Sequence, residues 1–244
     1  MPENILYIIL LAAGASFVQR TTGFGFGIFI MTVLPFLMPS YAEAVTLSGI
    51  LSLTSSTVVM LKYLKYVSWK RILPILAAFL VMSALAVFML EKLEGRTMRI
   101  ILGLILILLS LYFCFFKERL QKVIKPTSAW QIGSGVISGV MGGLFGMQGP
   151  PVVLYLINSE PDKNHYMGMI QTYAVLTNVI MLVTRACNGY LTTAVGTAYL
   201  YSITGLVVGV LAGNWAFKRL PDKLFAYIVY AYIGISGLVI FLTS

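Results

Sequence analysis

Eight apolar segments follow one another along the chain, and the polar residues cluster in the short stretches between them. Most of the segments are about 20 residues long, the length that an α-helix needs to cross about 30 Å of hydrocarbon. The segments are 4–38, 42–61, 72–90, 97–116, 129–157, 165–186, 193–217 and 224–243. This pattern predicts an all-α polytopic membrane protein.

Two of the segments are too long for one crossing. As a straight helix, segment 4–38 would extend about 52 Å. Both this segment and segment 129–157 are interrupted by residues that disfavour a continuous helix. The interruptions are Gly23, Gly25, Gly27 and Pro35 in the first and GGLFGMQGPP (142–151) in the second. We therefore expect a break in each, where freed backbone groups pack in protein or line a cavity.

The chain also repeats itself. GASFVQRTTGFG (14–25) aligns with GVISGVMGGLFG (135–146). The alignment continues into the next segments, where Ser48, Ser55 and Lys62 fall opposite Gln171, Asn178 and Arg185. Each half then holds one broken helical hairpin and three transmembrane helices. The halves are 1–116 and 129–244, joined by a basic linker at 117–128 in a single membrane domain.

Charge decides how the broken segments are arranged. The chain carries 17 Lys and Arg, only 10% charged residues and a net charge of +9. If each broken segment crosses the membrane once, the basic residues of the loops divide almost evenly between the two sides. If each broken segment instead enters and returns on the same side, twelve of these basic residues lie on one side of the membrane and four on the other. Because Lys and Arg concentrate in cytoplasmic loops, the hairpins are favoured, giving an inverted-topology repeat with both termini outside. The charge therefore indicates topology and not nucleic-acid binding.

Composition excludes several kinds of chemistry. All eight acidic residues lie at segment ends or in loops, so no carboxylate is placed to carry a proton or Na⁺ deep in the membrane. No nucleotide-binding loop is present, and His165 is the single histidine. Cys114 and Cys187 fall in or beside apolar segments, which favours packing roles. We expect no cofactor, no metal and no enzymatic activity.

Arg20 lies in the first break, about sixteen residues into an apolar segment. Intramembrane charge is costly and is usually functional, although a snorkelling or carbonyl-capping arginine is an alternative. A guanidinium presents a planar fork of donors that matches the oxygens of a sulfonate, carboxylate or phosphate. Backbone N–H groups freed by the glycines also favour anions. We therefore predict that Arg20 binds an anion opposite Gln148, with close helix packing as the alternative role of the glycines.

A second polar stripe lies on segment 165–186. Gln171, Asn178 and Arg185 are seven residues apart and therefore share one helix face, with interhelical hydrogen bonding as the alternative role. A weaker stripe of Ser48, Ser52 and Ser55 ends at Lys62. The full set of candidate substrate-binding residues is Gln19, Arg20, Thr21, Thr22, Gly23, Gly25, Gly27, Ser52, Ser55, Gly146, Gln148, Gly149, Gln171, Asn178 and Arg185.

The two glycine motifs resemble those of the sulfite exporter TauE/SafE family, also called the toluene-sulfonate uptake permease family. The matching stretches are TTGFGFGIFIMTVLP (21–35) and GGLFGMQGPPVVLYL (142–156), and the resemblance covers essentially the whole chain. It implies transport of sulfur-containing anions such as sulfite or sulfonates, with the glycine motifs as the substrate region. Gln148 departs from this pattern, since a glycine is common at its position.

Two classes of function follow. The first is a secondary transporter or uniporter for a small sulfur-containing anion, of efflux type, in the inner or plasma membrane. The second is a non-transport membrane protein, either an intramembrane enzyme or an assembly partner. The expected partners are a small anionic substrate and the lipid bilayer, and the sequence leaves homo-oligomer formation open.

The charge count predicts that residues 119–122 are cytoplasmic. In intact cells that express a variant with Cys114 and Cys187 replaced by Ser, a single cysteine introduced at 119–122 should not react with an impermeant external maleimide. A cysteine at position 96, in the loop predicted to lie outside, serves as the positive control. External labelling within 119–122 would overturn the hairpin topology.

Overall fold

A computed structural model describes residues 5–90, 95–116, 124–160, 162–217 and 222–243. Within these ranges the chain is helical and contains no strand. Leu64–Tyr66 forms a 3₁₀ turn and Tyr112–Phe116 forms a π-helical turn. The helices are α1 (Ile5–Thr22), α2 (Phe26–Ile30), α3 (Leu34–Leu37), α4 (Tyr41–Tyr63), α5 (Trp69–Leu90), α6 (Gly95–Leu111), α7 (Ser128–Phe145), α8 (Gly149–Ser159), α9 (Lys163–Cys187), α10 (Thr193–Phe217) and α11 (Asp222–Thr243).

Five helical stretches in the described ranges are long and apolar enough to cross a membrane. They are Tyr41–Tyr66, Trp69–Met89, Gly95–Phe116, Asn164–Cys187 and Thr193–Gly213. This finding confirms the predicted all-α, multi-pass class. Of the predicted linker 117–128, residues 117–123 lie outside the described part of the chain.

Both long apolar segments are interrupted at glycines. α1 ends at Thr22, and α2 begins after Gly25. Gly23 and Gly25 have φ values of 82° and 91°, in the left-handed region that a residue with a Cβ rarely adopts. In the second segment α7 ends at Phe145, and the residue that follows it, Gly146, has a φ of 69°. Glycine at these positions therefore allows the chain to leave the helix without steric strain.

α1 packs closely along α10, because glycines on α10 let the two backbones approach. A Cβ built on Gly209 would overlap the carbonyl oxygen of Ala13 and the hydroxyl of Ser16. Along this contact Gly205, Gly209 and Gly213 face the carbonyls of Ile9, Ala13 and Phe17. Since both sets ascend in the same order, the two helices run parallel.

The broken segment of the second half packs in the same way against a helix of the first half. α7 packs along α5, and here the glycines are on α7. Gly135, Gly139 and Gly143 face the carbonyls of Ile75, Phe79 and Ser83 in ascending order. The broken segment of each half thus packs in parallel against a helix of the other half, so the two halves are interlocked.

Contacts at Arg71 bring together the two ends of the second broken segment. The Arg71 guanidinium donates to the carbonyl of Ser159 at 2.9 Å and lies 3.3 Å from the Glu160 carboxylate. The Arg71 carbonyl accepts a 2.6 Å hydrogen bond from the side-chain amide of Gln131, near the start of α7. The start and the end of this segment therefore lie at the same end of the bundle.

The two ends of the first broken segment also lie close to one short stretch of chain. Ile5, at the start of α1, lines a cavity of about 260 Å³ together with Thr193. Glu43, in the first turn of α4, accepts a 2.6 Å hydrogen bond from the Thr192 hydroxyl. Glu43 lies at a segment end, as expected, but it is buried, and the Ser40 hydroxyl donates to its second oxygen at 2.9 Å. Its hydrogen bonds favour a structural role for this carboxylate.

The α5–α7 contact predicts how two glycines of one helix differ. A Cβ at position 139 would lie 2.8 Å from both the Phe79 carbonyl oxygen and the Met82 Cβ, whereas a Cβ at position 133 meets nothing within 4 Å. Gly139→Ala should therefore lower the free energy of unfolding by about 1–3 kcal/mol, the usual cost of overpacking. Gly133→Ala should be neutral or stabilising, because alanine favours a helix. Thermal unfolding of both variants in detergent tests this, and equal melting temperatures would contradict the close packing.

Candidate substrate site

The two breaks meet in the middle of the bundle. A Cβ built on Gly27 would overlap the carbonyl oxygen of Gly146, so the two backbones are in direct contact. Beside this contact is a crevice of about 40 Å³, which has room for only a few water molecules. The predicted site residues that line it are Gln19, Gly23, Gly25, Gly27, Ser52, Gly146, Gln148 and Gly149.

A chain of uncharged hydrogen bonds connects the second break to both halves. The Gln148 amide donates to Asn178 Oδ1 at 2.9 Å, and the Asn178 amide donates to Ser52 Oγ at 3.2 Å. All three side chains are buried. Asn178 does not itself line the crevice, but it holds together two residues that do. Part of the predicted polar stripe therefore forms interhelical hydrogen bonds, the alternative considered above.

Two further residues at the crevice were not predicted from the sequence. Ser138 donates to the carbonyl of Gln148 and lies 2.6 Å from the Tyr173 hydroxyl. With its one proton used on Gln148, Ser138 accepts from Tyr173. Both residues are buried on apolar helix faces, and no sequence motif marks them.

A larger cavity of about 250 Å³ adjoins the crevice, and Gln19 lines both spaces. Its polar lining is Gln19, Arg20, Ser55, Lys62 and Gln171, and its apolar wall includes Met167, Leu206 and Val210. Lys62 belongs to the predicted serine stripe but not to the predicted site, and the structure adds it. The residue that shares the crevice with Gln148 is Gln19, not Arg20 as expected. Since successive helical positions point about 100° apart, the neighbouring Arg20 lines the larger cavity instead.

Arg20 reaches the cavity along the glycine face of α10. A Cβ built on Gly213 would lie 2.9 Å from the Arg20 Cβ, so the missing side chain makes room for the arginine stem. Both amides beside it are held by hydrogen bonds. The Gln19 amide nitrogen donates to Ser56 Oγ, and the Gln171 amide nitrogen donates to the Gly23 carbonyl, each at 2.9 Å.

Arg185 lies apart from both spaces and is fully buried. Its guanidinium donates to the carbonyls of Gly142 and Gly143 at the end of α7, at 2.9 and 3.2 Å. A third bond of 3.2 Å reaches the carbonyl of Val45 on α4. Arg185 therefore satisfies carbonyls beside the second break, and its contact with substrate stays a prediction.

The two threonines that follow Arg20 differ in what is described. The Thr21 hydroxyl donates to the carbonyls of Phe17 and Val18 in its own helix. The side chain of Thr22 lies outside the described part of the structure. A role for either residue in substrate binding stays a prediction.

The second break offers fewer backbone donors than the glycine motif led us to expect. Pro150 and Pro151 occupy the first turn of α8 and have no N–H group. The first helix after the other break, α2, has only five residues. The cations and amides of the cavity are therefore better placed than the helix termini to bind an anion.

His165, the single histidine, lies at the start of α9 and outside both spaces. Asp162 caps that helix, and the backbone N–H of His165, with the His165 ring 2.9 Å from the carboxylate, holds the pKa of Asp162 below its usual range. The His165 ring also makes an edge contact with Tyr66. The histidine thus belongs to a surface hydrogen-bonded pair.

A bundle of apolar helices, five of them in the described ranges long enough to cross a membrane, defines a multi-pass membrane protein. The sequence profile of the family "Sulfite exporter TauE/SafE" matches residues 8–240, and the chain belongs to this family. Members of this family are transporters and not enzymes, which confirms the transporter class, while efflux and the inner membrane stay predictions.

A curated relative from Cupriavidus necator is described as "Probable sulfite/organosulfonate exporter TauE". It is 24% identical over 213 residues, which cover 84% of this chain and 80% of the relative. No solved structure matches the chain.

Arg185 and Lys62, which align in the repeat, should respond differently to mutation. Arg185→Ala removes three charge-assisted hydrogen bonds from buried carbonyls and should destabilise the protein by more than about 3 kcal/mol. Lys62→Ala changes an exposed side chain and should leave the melting temperature unchanged. Thermal unfolding of the purified variants is the measurement, and a wild-type melting temperature for Arg185→Ala would contradict the carbonyl-binding role.

Proposed function

We propose that this protein exports a small sulfur-containing anion, sulfite or a sulfonate, across the inner membrane, and that the anion first binds in the 250 Å³ cavity. The observation that carries the proposal is the charge of that cavity. Arg20 and Lys62 line it with two amides and a hydroxyl, and no Asp or Glu is among its lining residues in the described part of the chain. Such a surface attracts anions and disfavours cations.

The cavity also suits the shape of an oxyanion. The guanidinium of Arg20 presents parallel donors that match two oxygens of a sulfonate or sulfite, and Lys62 adds a point charge. Ser55 contributes a hydroxyl. The relative from Cupriavidus necator, described as a sulfite/organosulfonate exporter, supports the same class of substrate.

The proposed framework is an inverted-topology repeat with a hairpin in each half. The contacts of Arg71 with Gln131 and Glu160 support a hairpin in the second half, because they place both of its ends together. The proximity of Ile5 and Glu43 to residues 192–193 supports one in the first half. The reciprocal packing of α1 on α10 and α7 on α5 supports the repeat. Broken helices that meet near the centre of an inverted repeat form the substrate site in many secondary transporters.

The direction of opening follows from topology. Lys62 lies at the end of α4 that the charge count assigns to the cytoplasm, so the cavity beside it opens toward that side. At the opposite end, Arg185 holds the end of α7 to α4 through the carbonyls of Gly142 and Val45. The protein thus has the arrangement of a cytoplasm-facing carrier, and the anion leaves outward when the hairpins move apart around the narrow crevice.

We propose that transport is not coupled to the movement of another ion. An anion that leaves a cell with a negative interior gains about 2.3 kcal/mol per charge per 100 mV, so efflux needs no coupled ion. The buried carboxylate of Glu43 does not line the cavity and accepts a hydrogen bond from Thr192, and His165 is paired with Asp162. Uphill flux in vesicles driven by a pH gradient alone would contradict this uniport mechanism.

Flux of radiolabelled sulfite and 2-hydroxyethanesulfonate into proteoliposomes tests the function. Arg20→Ala should abolish transport and leave a folded protein, because the cavity loses its donor fork. Arg20→Lys keeps the charge but not the fork and should weaken binding by about 1–3 kcal/mol. Arg96→Ala is the matched control, since Arg96 is exposed in the first turn of α6 and does not line the cavity.

Two results would count against the proposal. Undiminished transport by a folded Arg20→Ala protein would remove Arg20 from the site and leave Lys62 as the cation of the cavity. Absence of flux of either anion through the wild-type protein would exclude this substrate class.

A further inference from the structure

Two side chains of the cavity, Gln171 and Gln19, each have a buried acceptor oxygen, Oε1, with no hydrogen-bond partner among the described residues, and Gln171 is the more deeply buried of the two. Gln171 is 2% exposed, and its Oε1 has no hydrogen-bond partner among the described residues. Buried polar atoms in proteins are nearly always paired, because leaving one unpaired loses the hydrogen bonds it made to water. An unpaired acceptor on a residue that lines a cavity is therefore available to a ligand.

The orientation of this amide is fixed by its neighbour. The Gln171 amide nitrogen donates to the carbonyl of Gly23 at 2.9 Å. A carbonyl only accepts, so reversing the amide would place two acceptor oxygens against each other. Gln171 therefore presents an oxygen, and not a second donor, on its free side.

Gln19, the other amide of the cavity, also has an unpaired Oε1, but its neighbour does not fix the orientation of its amide. Its nitrogen donates to the hydroxyl of Ser56 at 2.9 Å. A hydroxyl both donates and accepts, so the Gln19 amide can be reversed and can offer either atom to a ligand. The two glutamines are thus similar in burial and position but have different chemistry, which provides a matched comparison.

We propose that Gln171 selects for a hydrogen-bond donor on the transported anion, so that the preferred substrate is a short sulfonate that carries its own O–H or N–H group. This inference rests on the proposed function. The sulfonate oxygens lie at Arg20 and Lys62, and the donor group of the substrate reaches Gln171 Oε1. Its carbon chain lies along the apolar wall of Met167 and Leu206.

The selectivity has a clear physical cause. A site built to hydrogen-bond a hydroxyl rejects the analogue that lacks it, because the buried partner of the site is then left unpaired. A fully deprotonated oxyanion is also disfavoured at this position, since its oxygens would face the Gln171 oxygen without a proton between them. Gln171 is thereby a specificity-determining residue, while Arg20 and Lys62 attract any anion of suitable size.

The test compares two sulfonates of equal charge and nearly equal size, 2-hydroxyethanesulfonate and 1-propanesulfonate, in which a methyl group replaces the hydroxyl. Each is assayed for its ability to compete with labelled 2-hydroxyethanesulfonate uptake into proteoliposomes that contain the full-length protein. The wild-type protein should prefer the hydroxyl compound by at least about tenfold. Gln171→Leu should reduce this ratio to near one, while Gln19→Leu should weaken both ligands alike and keep the ratio.

The outcomes separate this inference from the proposed function. Absence of uptake of both labelled 2-hydroxyethanesulfonate and labelled sulfite defeats the proposed function itself, whereas uptake of sulfite without competition by either sulfonate overturns this inference alone. Equal competition by both in the wild-type protein overturns the inference even if Gln171→Leu fails to fold. Retention of the preference in a folded Gln171→Leu protein, or its loss in Gln19→Leu, overturns the assignment to Gln171.

Discussion

The contact between Gly27 and the carbonyl of Gly146 is the constraint on which the rest of the structure depends. It places the start of α2 directly against the residue that caps the end of α7 at the other break, where neither a side chain nor lipid fits between them. Because hydrocarbon cannot hydrogen-bond the groups freed from the helices, the surrounding polar side chains must do so. Gln171 binds the Gly23 carbonyl, Ser138 binds the Gln148 carbonyl, and Arg185 binds the carbonyls at the end of α7. Much of the buried polar chemistry of the protein is thus directed at two interruptions in its own backbone.

These polar groups fall into two sets with different consequences. Around the crevice the side chains bond one another and the backbone, as in the chain from Gln148 through Asn178 to Ser52, and this fixes the halves in place. Around the larger cavity, cations and amides line a space that the protein does not fill. Lys62 and Arg185, which the sequence alignment places opposite each other, illustrate this division. Lys62 lines the cavity, whereas Arg185 is buried and hydrogen-bonded to carbonyls. The two cations lie near opposite ends of α4, since Arg185 bonds the Val45 carbonyl and Lys62 is in the last turn of that helix.

The sequence predicted the helices well because a membrane restricts the choices. Apolar runs of sufficient length must be helical, so segment 193–217 matched α10 at both ends. The spacing of seven residues correctly placed Gln171 and Asn178 on one helix face. What could not be predicted was which distant groups each side chain would meet. The carbonyls bound by Arg185 and the entry of Lys62 into the cavity depend on how helices from opposite halves pack, and spacing within one helix carries no record of that.

The exchange of partners between the halves has a consequence for biogenesis. The face of α1 that packs against α10 waits for a partner far along the chain, since Ser16 bonds the carbonyl of Leu206, 190 residues later. At ribosomal speeds of about 5–20 residues per second, that wait lasts roughly 10–40 seconds. During this time the first helix is held by lipid or by the insertion machinery with its packing surface open. The nascent protein therefore cannot mature half by half, and its quality control has to tolerate an unassembled intermediate until almost the last helix is released.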